Sequence, residues 1–290
     1  MAAHTVFAAK ENMPTGFQAK GASPASKTTS RHRTQPSAAK VADIHEAARR
    51  AARRSPPVCR LRLPQTLPRP VLKDIDADTL AAISTKLAGV HLEYIRDILR
   101  EAGPILLEAA RNGQPALPTT LTKKLDVIVE DDMPTHMLAV WSKSQAARQV
   151  KLFSAHDVLF AATCAHLPPL PASKQRALVG TEDKLPVVTL CIPHLPTFGI
   201  LHEYLYTHDI NRLLVSLLPT HTAAGVPIPP SPQAYANACS RHVLMQHIGS
   251  VHGLWSNACA LGVFDEELWN AIDKSWALLL AALQPVPVHA

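Results

Sequence analysis

Residues 153–167 read FSAHDVLFAATCAHL and residues 185–210 read LPVVTLCIPHLPTFGILHEYLYTHDI. In the first stretch Val158, Leu159, Ala162 and Ala165 recur at helical spacing, which predicts a helix over residues 154–166. In the second, Val187 to Ile192 is a short apolar run stopped by Pro193, which reads as a strand. Pro196 then opens another helix, with Phe198, Leu201 and Leu205 on one side. A helix with an apolar stripe must bury it, so each of these helices needs a partner surface.

Upstream, Leu125–Val129 and Met137–Trp141 read as two strands joined in a hairpin by the polar turn at residues 131–134, and a third piece runs from Val150 to Phe153. Leu80, Ile83 and Leu87 form one helical stripe, closed by Gly89. Leu92, Ile95, Ile98 and Leu99 form the next, which Gly103-Pro104 should break or kink. Residues 171–184 lack periodicity and read as an exposed loop. Downstream, Leu213, Leu214, Leu217 and Leu218 make a helix that Pro219 stops. Ser231 as N-cap and Pro232 at the first helical position open another, expected to run to Gly262. The last helix begins at Asp265, where the carboxylates suit the positive end of the helix dipole. Its stripe is Trp269, Ile272, Trp276, Leu279 and Leu283, and Trp255, Trp269 and Trp276 read as core.

The order Phe153-x-Ala155-His156-x-x-Leu159, then an apolar strand, then Phe198-x-x-Leu201-x-x-Tyr204-Leu205-Tyr206-Thr207 resembles the BTB/POZ interaction domain over residues 123–220. Within that superfamily the wording of the segment and its flanking helices is similar to the clampless-type developmental regulators of mushroom-forming fungi. The first resemblance implies that Phe153, Leu159, Phe198, Leu201, Tyr204 and Tyr206 carry the motif. It also implies that Asp126 and His156 form a structural pair at the junction of the first strand and first helix; a charged pocket for a partner peptide is the alternative. The chain departs from the pattern at residues 164–167, Cys-Ala-His-Leu where Ser-x-x-Phe is common, and at His208, where a glycine is common. These departures weaken the carry-over of dimerisation and cullin binding.

Charge is divided unevenly: residues 1–73 hold 14 Lys and Arg against 3 Asp and Glu, and the remainder 15 against 20. The first 73 residues have too few large apolar side chains to offset the entropy of ordering, so the sequence predicts a disordered basic arm. Within it Arg49, Arg50, Arg53 and Arg54 admit three readings: a solvated charge run, a nuclear-import signal, or a nucleic-acid arm. Four arginines in six residues suffice for an import receptor, whereas DNA readout needs a folded element to set register. We therefore take them as an import signal and do not expect direct nucleic-acid binding. The longest strongly apolar run, residues 276–283, falls far short of the roughly 18 to 20 residues of a membrane span, so none is expected. Five widely spaced cysteines and no apolar leader predict reduced thiols.

Fifteen histidines invite a metal site, but only Cys191-x-x-His194 has a knuckle-like gap, and no second pair accompanies it. His202-Glu203 begins like a zinc-protease helix, yet Tyr206 stands where the second histidine is required. Nucleophile elbows, phosphate loops and dinucleotide fingerprints do not occur. No metal, cofactor or enzymatic activity is expected.

The sequence thus predicts an α+β protein: a disordered basic arm (1–73), a helical lead-in (74–122), a BTB/POZ-like core (123–220) and a C-terminal helical extension (221–290). The clampless resemblance implies a non-enzymatic nuclear regulator of sexual development, acting in clamp-cell formation and dikaryon maintenance. Its partners would be other proteins, homeodomain or other transcription factors among them, with a homodimer allowed. The BTB resemblance alone permits an alternative, a substrate adaptor for a cullin ubiquitin ligase.

Overall fold

A computed structural model describes residues 63–71, 73, 75, 77–112, 124–128, 133–144, 149–168, 170 and 182–284, with the backbone alone at 77, 124–128 and 182–184. All fall in one unit spanning residues 62–290. The basic arm up to residue 62, with Arg49, Arg50, Arg53 and Arg54, lies outside the described residues.

Four strands form one sheet: β1 (Lys124–Ile128), β2 (His136–Trp141), β3 (Val150–Ala155) and β4 (Glu182–Cys191), in the order β1-β4-β2-β3. The expected hairpin between β1 and β2 does not form. Instead β2 pairs antiparallel with β3, His136 opposite Ala155, and parallel with β4, Met137 opposite Val187; β1 runs antiparallel to β4. The pattern explains the exchange. His136 to Val140 are fully buried, and a strand with no solvent face belongs in the interior of a sheet. Lys-Leu-Asp-Val-Ile alternates at its start and takes an edge.

The helix expected over 154–166 is shorter, α3 (Asp157–Thr163), because Ser154 and Ala155 are claimed by the ladder opposite Met137 and His136. Thr135, just before β2, supplies the hydroxyl that accepts the Asp157 N–H at 2.8 Å. Strand β4 begins five residues before Val187, at Glu182, inside the stretch read as a loop; those charged positions pair only with β1.

Helix α1 (Ala77–Ile83) and a short 3₁₀ turn (Thr85–Leu87) precede α2 (Leu92–Asn112). Helix α2 runs through Gly103-Pro104 as one helix, so of the expected break or kink the break does not occur. Ile95 on one side of the proline and Leu107 and Ala110 beyond it are all buried, so both halves are tied down although Pro104 offers no N–H. Ile98, expected inside, is 48% exposed. At about 100° per residue it lies off the Ile95–Leu99–Gly103–Leu107 stripe.

At the centre stands α4 (Leu195–Thr207), with Leu195, Thr197, Phe198, Leu201, His202, Tyr204, Leu205 and Tyr206 buried. A helix covered on nearly every side is a core element. Helix α2 lies on one side of it, and α5 (Ile210–Leu217) follows. The helix expected from Ser231 to Gly262 is two: α6 (Pro232–Ala238), capped by Ser231, and α7 (Arg241–Leu261), capped by Ser240, whose hydroxyl accepts the Val243 N–H. The last, α8 (Glu266–Leu283), starts at the expected cap Asp265 and packs on α7, which in turn packs on α4. Trp269 and Trp276 are buried and Trp255 half-buried.

Two glycines set these distances. A Cβ on Gly103 would lie 1.8 Å from the Tyr206 carbonyl oxygen, and one on Gly253 would lie 2.2 Å from the His194 ring. No side chain fits either place, so α2 and α7 approach the ends of α4 through bare backbone.

Candidate functional site

The six motif residues come together, and they build the interior rather than a surface. Leu159, Phe198, Leu201, Tyr204 and Tyr206 are at most 2% exposed. Phe153 meets Phe198 edge-on, with centroids 4.8 Å apart. His202 sits among Phe153, Phe160, Phe198 and Tyr206 with ring centroids 5.1 to 6.1 Å away. Its Nε2–H donates to the Ser154 carbonyl at 2.8 Å, and burial pushes its pKa down to about 4, so the ring is neutral at physiological pH. His202 is a core residue that ties α4 to β3.

His156 is the residue before α3. Its backbone N–H donates to Tyr206 Oη at 3.2 Å, and its Nδ1 lies 2.9 Å from the same oxygen. The Tyr206 hydroxyl thus binds both the backbone and the ring of His156. Asp126 is on β1 opposite Lys184, and its side chain lies outside the described residues; the expected Asp126–His156 pair therefore rests on the resemblance.

At the other end of α4, Tyr204, His208 and Asp265 form a junction that sequence reasoning did not find. Asp265 Oδ2 accepts from the Tyr204 hydroxyl at 3.1 Å and from His208 Nδ1 at 2.9 Å, while Oδ1 accepts the Glu267 and Leu268 N–H groups. Burial alone would raise the Asp265 carboxyl; the His208 bond, the Leu268 N–H and the Tyr204 hydroxyl outweigh it and hold the group below its ordinary value. His208 is also the C-cap of α4, at φ 47 in the left-handed region, at the position where the BTB/POZ pattern commonly has glycine. The only local signal was that departure.

Beside this junction a cleft of about 240 Å³ opens between α2 and the start of α8, lined by Arg96, Arg100, His208, Phe264, Asp265 and Glu267 among others. Arg96 braces it. Its Nε donates to the Ala162 carbonyl at 2.9 Å, one Nη pairs with Glu93 at 2.6 Å, and the guanidinium lies 4.9 Å from the Phe264 ring centroid. The cleft combines an aromatic edge with charges of both signs.

Cys164 is buried and its thiol is pushed up to about 12, which leaves no thiolate at neutral pH. Cys191, Cys239 and Cys259 are free thiols as well, and Cys59 lies outside the described residues. Among the described residues no three His, Cys, Asp or Glu side chains stand close enough to hold a metal ion, and no helix is long and apolar enough to cross a membrane.

Fold and site together define an α+β protein in which a four-stranded sheet and a bundle of C-terminal helices share one buried helix, α4. Two family models match its two sides: Clampless protein 1 N-terminal domain over residues 70–193, and Clampless protein 1 C-terminal domain over residues 211–289. In that order they take in more than half of the chain, which belongs to the clampless family. Helix α4 falls between the two matched stretches. The chain is 30% identical over 101 residues to Clampless protein 1 of Cryptococcus neoformans var. neoformans serotype D, in strains JEC21 and B-3501A. That alignment covers 34% of this chain and 20% of each relative, so the chain is aligned with a fifth of the length of these relatives. No solved structure matches the chain.

Proposed function

We propose that this protein is a non-enzymatic regulator of fungal sexual development, acting in the nucleus by binding other proteins to promote clamp-cell formation and maintain the dikaryon. The observation that carries the reading is the pair of clampless domain matches, which supports a role in regulating clamp connections and sexual development. The geometry favours binding over catalysis. His202 is held neutral by burial and engaged by Ser154, His156 is engaged by Tyr206, and Cys164 is a buried thiol, so these three groups serve the core.

The binding surface in this reading is the cleft between α2 and α8, where Phe264, Arg100 and Glu267 face solvent beside the His208–Asp265 junction. Residues 123–220 are a BTB/POZ-like unit in this reading; within them a hairpin, a helix, a parallel strand and a second helix, in that order, support the comparison. Homeodomain or other transcription factors are the partners the reading names.

The experiment is affinity purification of the tagged protein from mating cells of the source fungus, beside an Arg100→Glu, Phe264→Ala variant. Transcription factors recovered with the native chain and lost with the variant support the reading. Cullin components in their place would overturn it in favour of a ubiquitin-ligase adaptor.

A further inference from the structure

Residues 63–70 read LPQTLPRP and form neither helix nor strand, with a bend at Gln65 and Thr66. They lie along the last two helices. The Trp276 indole N–H on α8 donates to the Pro64 carbonyl at 3.2 Å, and the Trp255 indole N–H on α7 donates to the Pro68 carbonyl at 2.9 Å. Leu67, between them, is 5% exposed and joins the main core. Arg69 then spreads its fork over one face of α8: Nη1 to Glu266 at 2.6 Å, Nη2 to Asn270 at 2.8 Å, and Nε and Nη2 to Asp273 at 3.0 and 2.7 Å. His252 lies beside both indoles, 5.2 Å from Trp255 and 6.3 Å from Trp276. Pro64 is level with residue 276 and Arg69 with residues 266–273, so the segment runs antiparallel to α8.

These are the contacts by which aromatic grooves hold proline-rich ligands. Prolines restrict the segment and remove backbone donors, which leaves carbonyls as its main polar features; indole N–H groups read them, and an arginine against carboxylates fixes direction. None of these contacts depends on the segment being part of the same chain. The partition of the sequence agrees: residues 63–69 fall outside both matched domains, whereas Trp255, Glu266, Asn270, Asp273 and Trp276 all fall inside the C-terminal one.

We propose that the groove of α7 and α8 is a recognition site for a proline-flanked arginine segment of the Leu-Pro-Arg-Pro type, filled in cis by residues 63–70, and that a partner carrying such a segment binds by displacing it. This surface borders the α2–α8 cleft at Glu266, which lines both, but its test reads a different ligand and needs no mating cells, so the two readings can fail independently.

The probe is a fluorescein-labelled peptide with the sequence of residues 62–71, titrated into the full chain by fluorescence anisotropy. An Arg69→Glu chain, its own strap loosened, should bind the peptide at least tenfold more tightly than the native chain. Adding Asp273→Lys to that chain should remove at least tenfold of this affinity. An Arg69→Glu chain that keeps its near-ultraviolet circular dichroism yet binds no better than the native one overturns the proposal. If that variant does not fold, amide hydrogen exchange on the native full chain decides. Excess free peptide should speed exchange at Gln65, Thr66, Leu67 and Arg69 at least tenfold, and unchanged protection there overturns the proposal equally.

Discussion

His208 and Asp265 stand 57 residues apart and meet through a 2.9 Å hydrogen bond that ties the end of α4 to the start of α8. The histidine holds a left-handed backbone to make it. For a residue with a Cβ that conformation costs roughly 1 to 2 kcal/mol, while a hydrogen bond to a charged group contributes about 1.5 to 3 kcal/mol. The contact therefore outweighs the strain. His208→Gly, which keeps the conformation and loses the bond, should destabilise by about 1 kcal/mol; His208→Ala, which keeps the strain as well, by about 2 to 3 kcal/mol. Urea midpoints of the three proteins check the order, and a glycine variant more stable than the native chain would refute the latch. The Asp265 carboxyl is held below its ordinary value, so its contribution is full above the unfolded pKa and is lost as pH falls through the folded one.

His202 predicts a second, larger acid sensitivity in a higher pH window. Burial lowers its pKa from 6.5 to about 4, so between those values the unfolded chain binds a proton that the folded chain does not. Stability from this group is full above about pH 6.5 and falls as the pH is lowered toward 4. Between pH 7 and 5 the loss should be about 2 kcal/mol, before most carboxylates titrate. In His202→Gln, whose amide can still reach the Ser154 carbonyl, urea midpoints should vary much less over that range; an equal pH dependence in both proteins refutes the assignment.

Gly103 gives a prediction opposite in sign to helix propensity. Alanine in place of glycine inside a helix is ordinarily favourable by about 1 kcal/mol. Here the added methyl would sit 1.8 Å from the Tyr206 carbonyl oxygen, backbone that cannot swing aside. Gly103→Ala should lower stability by about 3 kcal/mol, near the upper end for overpacked sites. A thermal melt showing an unchanged or raised midpoint would mean that α2 does not lie this close to α4.

What could be read in the sequence was local chemistry. Ser231 with Pro232, Asp265 and Gly262 each sit at the helix ends they predict, because a cap acts within three or four residues. Phe198, Leu201 and Leu205 are inside, on the one side their spacing predicts. Strand partners were not legible: β4, more than 40 residues beyond β2, inserts beside it, and no turn residue at 131–134 encodes that competition. Pro104 misled for the same reason, since what holds α2 together is its contact with α4, α3 and the sheet. The His208–Asp265 junction and the strap on Trp255 and Trp276 join residues 57 and 187 to 212 positions apart, beyond any periodicity.

Asn257 shows how such a distant residue can anchor the start of a helix. His194 is the N-cap of α4, and Asn257 on α7 holds it by both backbone groups: Oδ1 accepts the His194 N–H at 2.9 Å, and Nδ2 donates to the His194 carbonyl at 2.7 Å and to Thr197 Oγ1 at 3.2 Å. Asn257 is fully buried. Truncation would leave the His194 N–H without this partner and take one of two donors from the His194 carbonyl, which keeps the Thr197 hydroxyl, so Asn257→Ala should cost about 2 to 3 kcal/mol. Asn257→Asp keeps the acceptor, loses the donor and buries a charge near the His194 carbonyl, and it should be at least as damaging. Chemical denaturation of the three proteins checks this; a change under about 1 kcal/mol for alanine would show that water replaces the amide.

The last prediction concerns Arg49, Arg50, Arg53 and Arg54. These carry four positive charges within six residues of a segment that is otherwise alanine, in an arm that holds 14 Lys and Arg against 3 Asp and Glu while the remainder of the chain is net negative. Import receptors read such clusters by paired charge and need no folded register, so replacing all four arginines with alanine should abolish nuclear accumulation of a fluorescent fusion while leaving folding of residues 62–290 intact. The two effects separate cleanly. An unchanged melting curve with a cytoplasmic signal identifies an import sequence. An unchanged nuclear signal leaves the cluster as a solvated charge run, and a nuclear but more salt-extractable protein would point to contact with nucleic-acid phosphates, whose counterion release makes binding steeply salt-dependent.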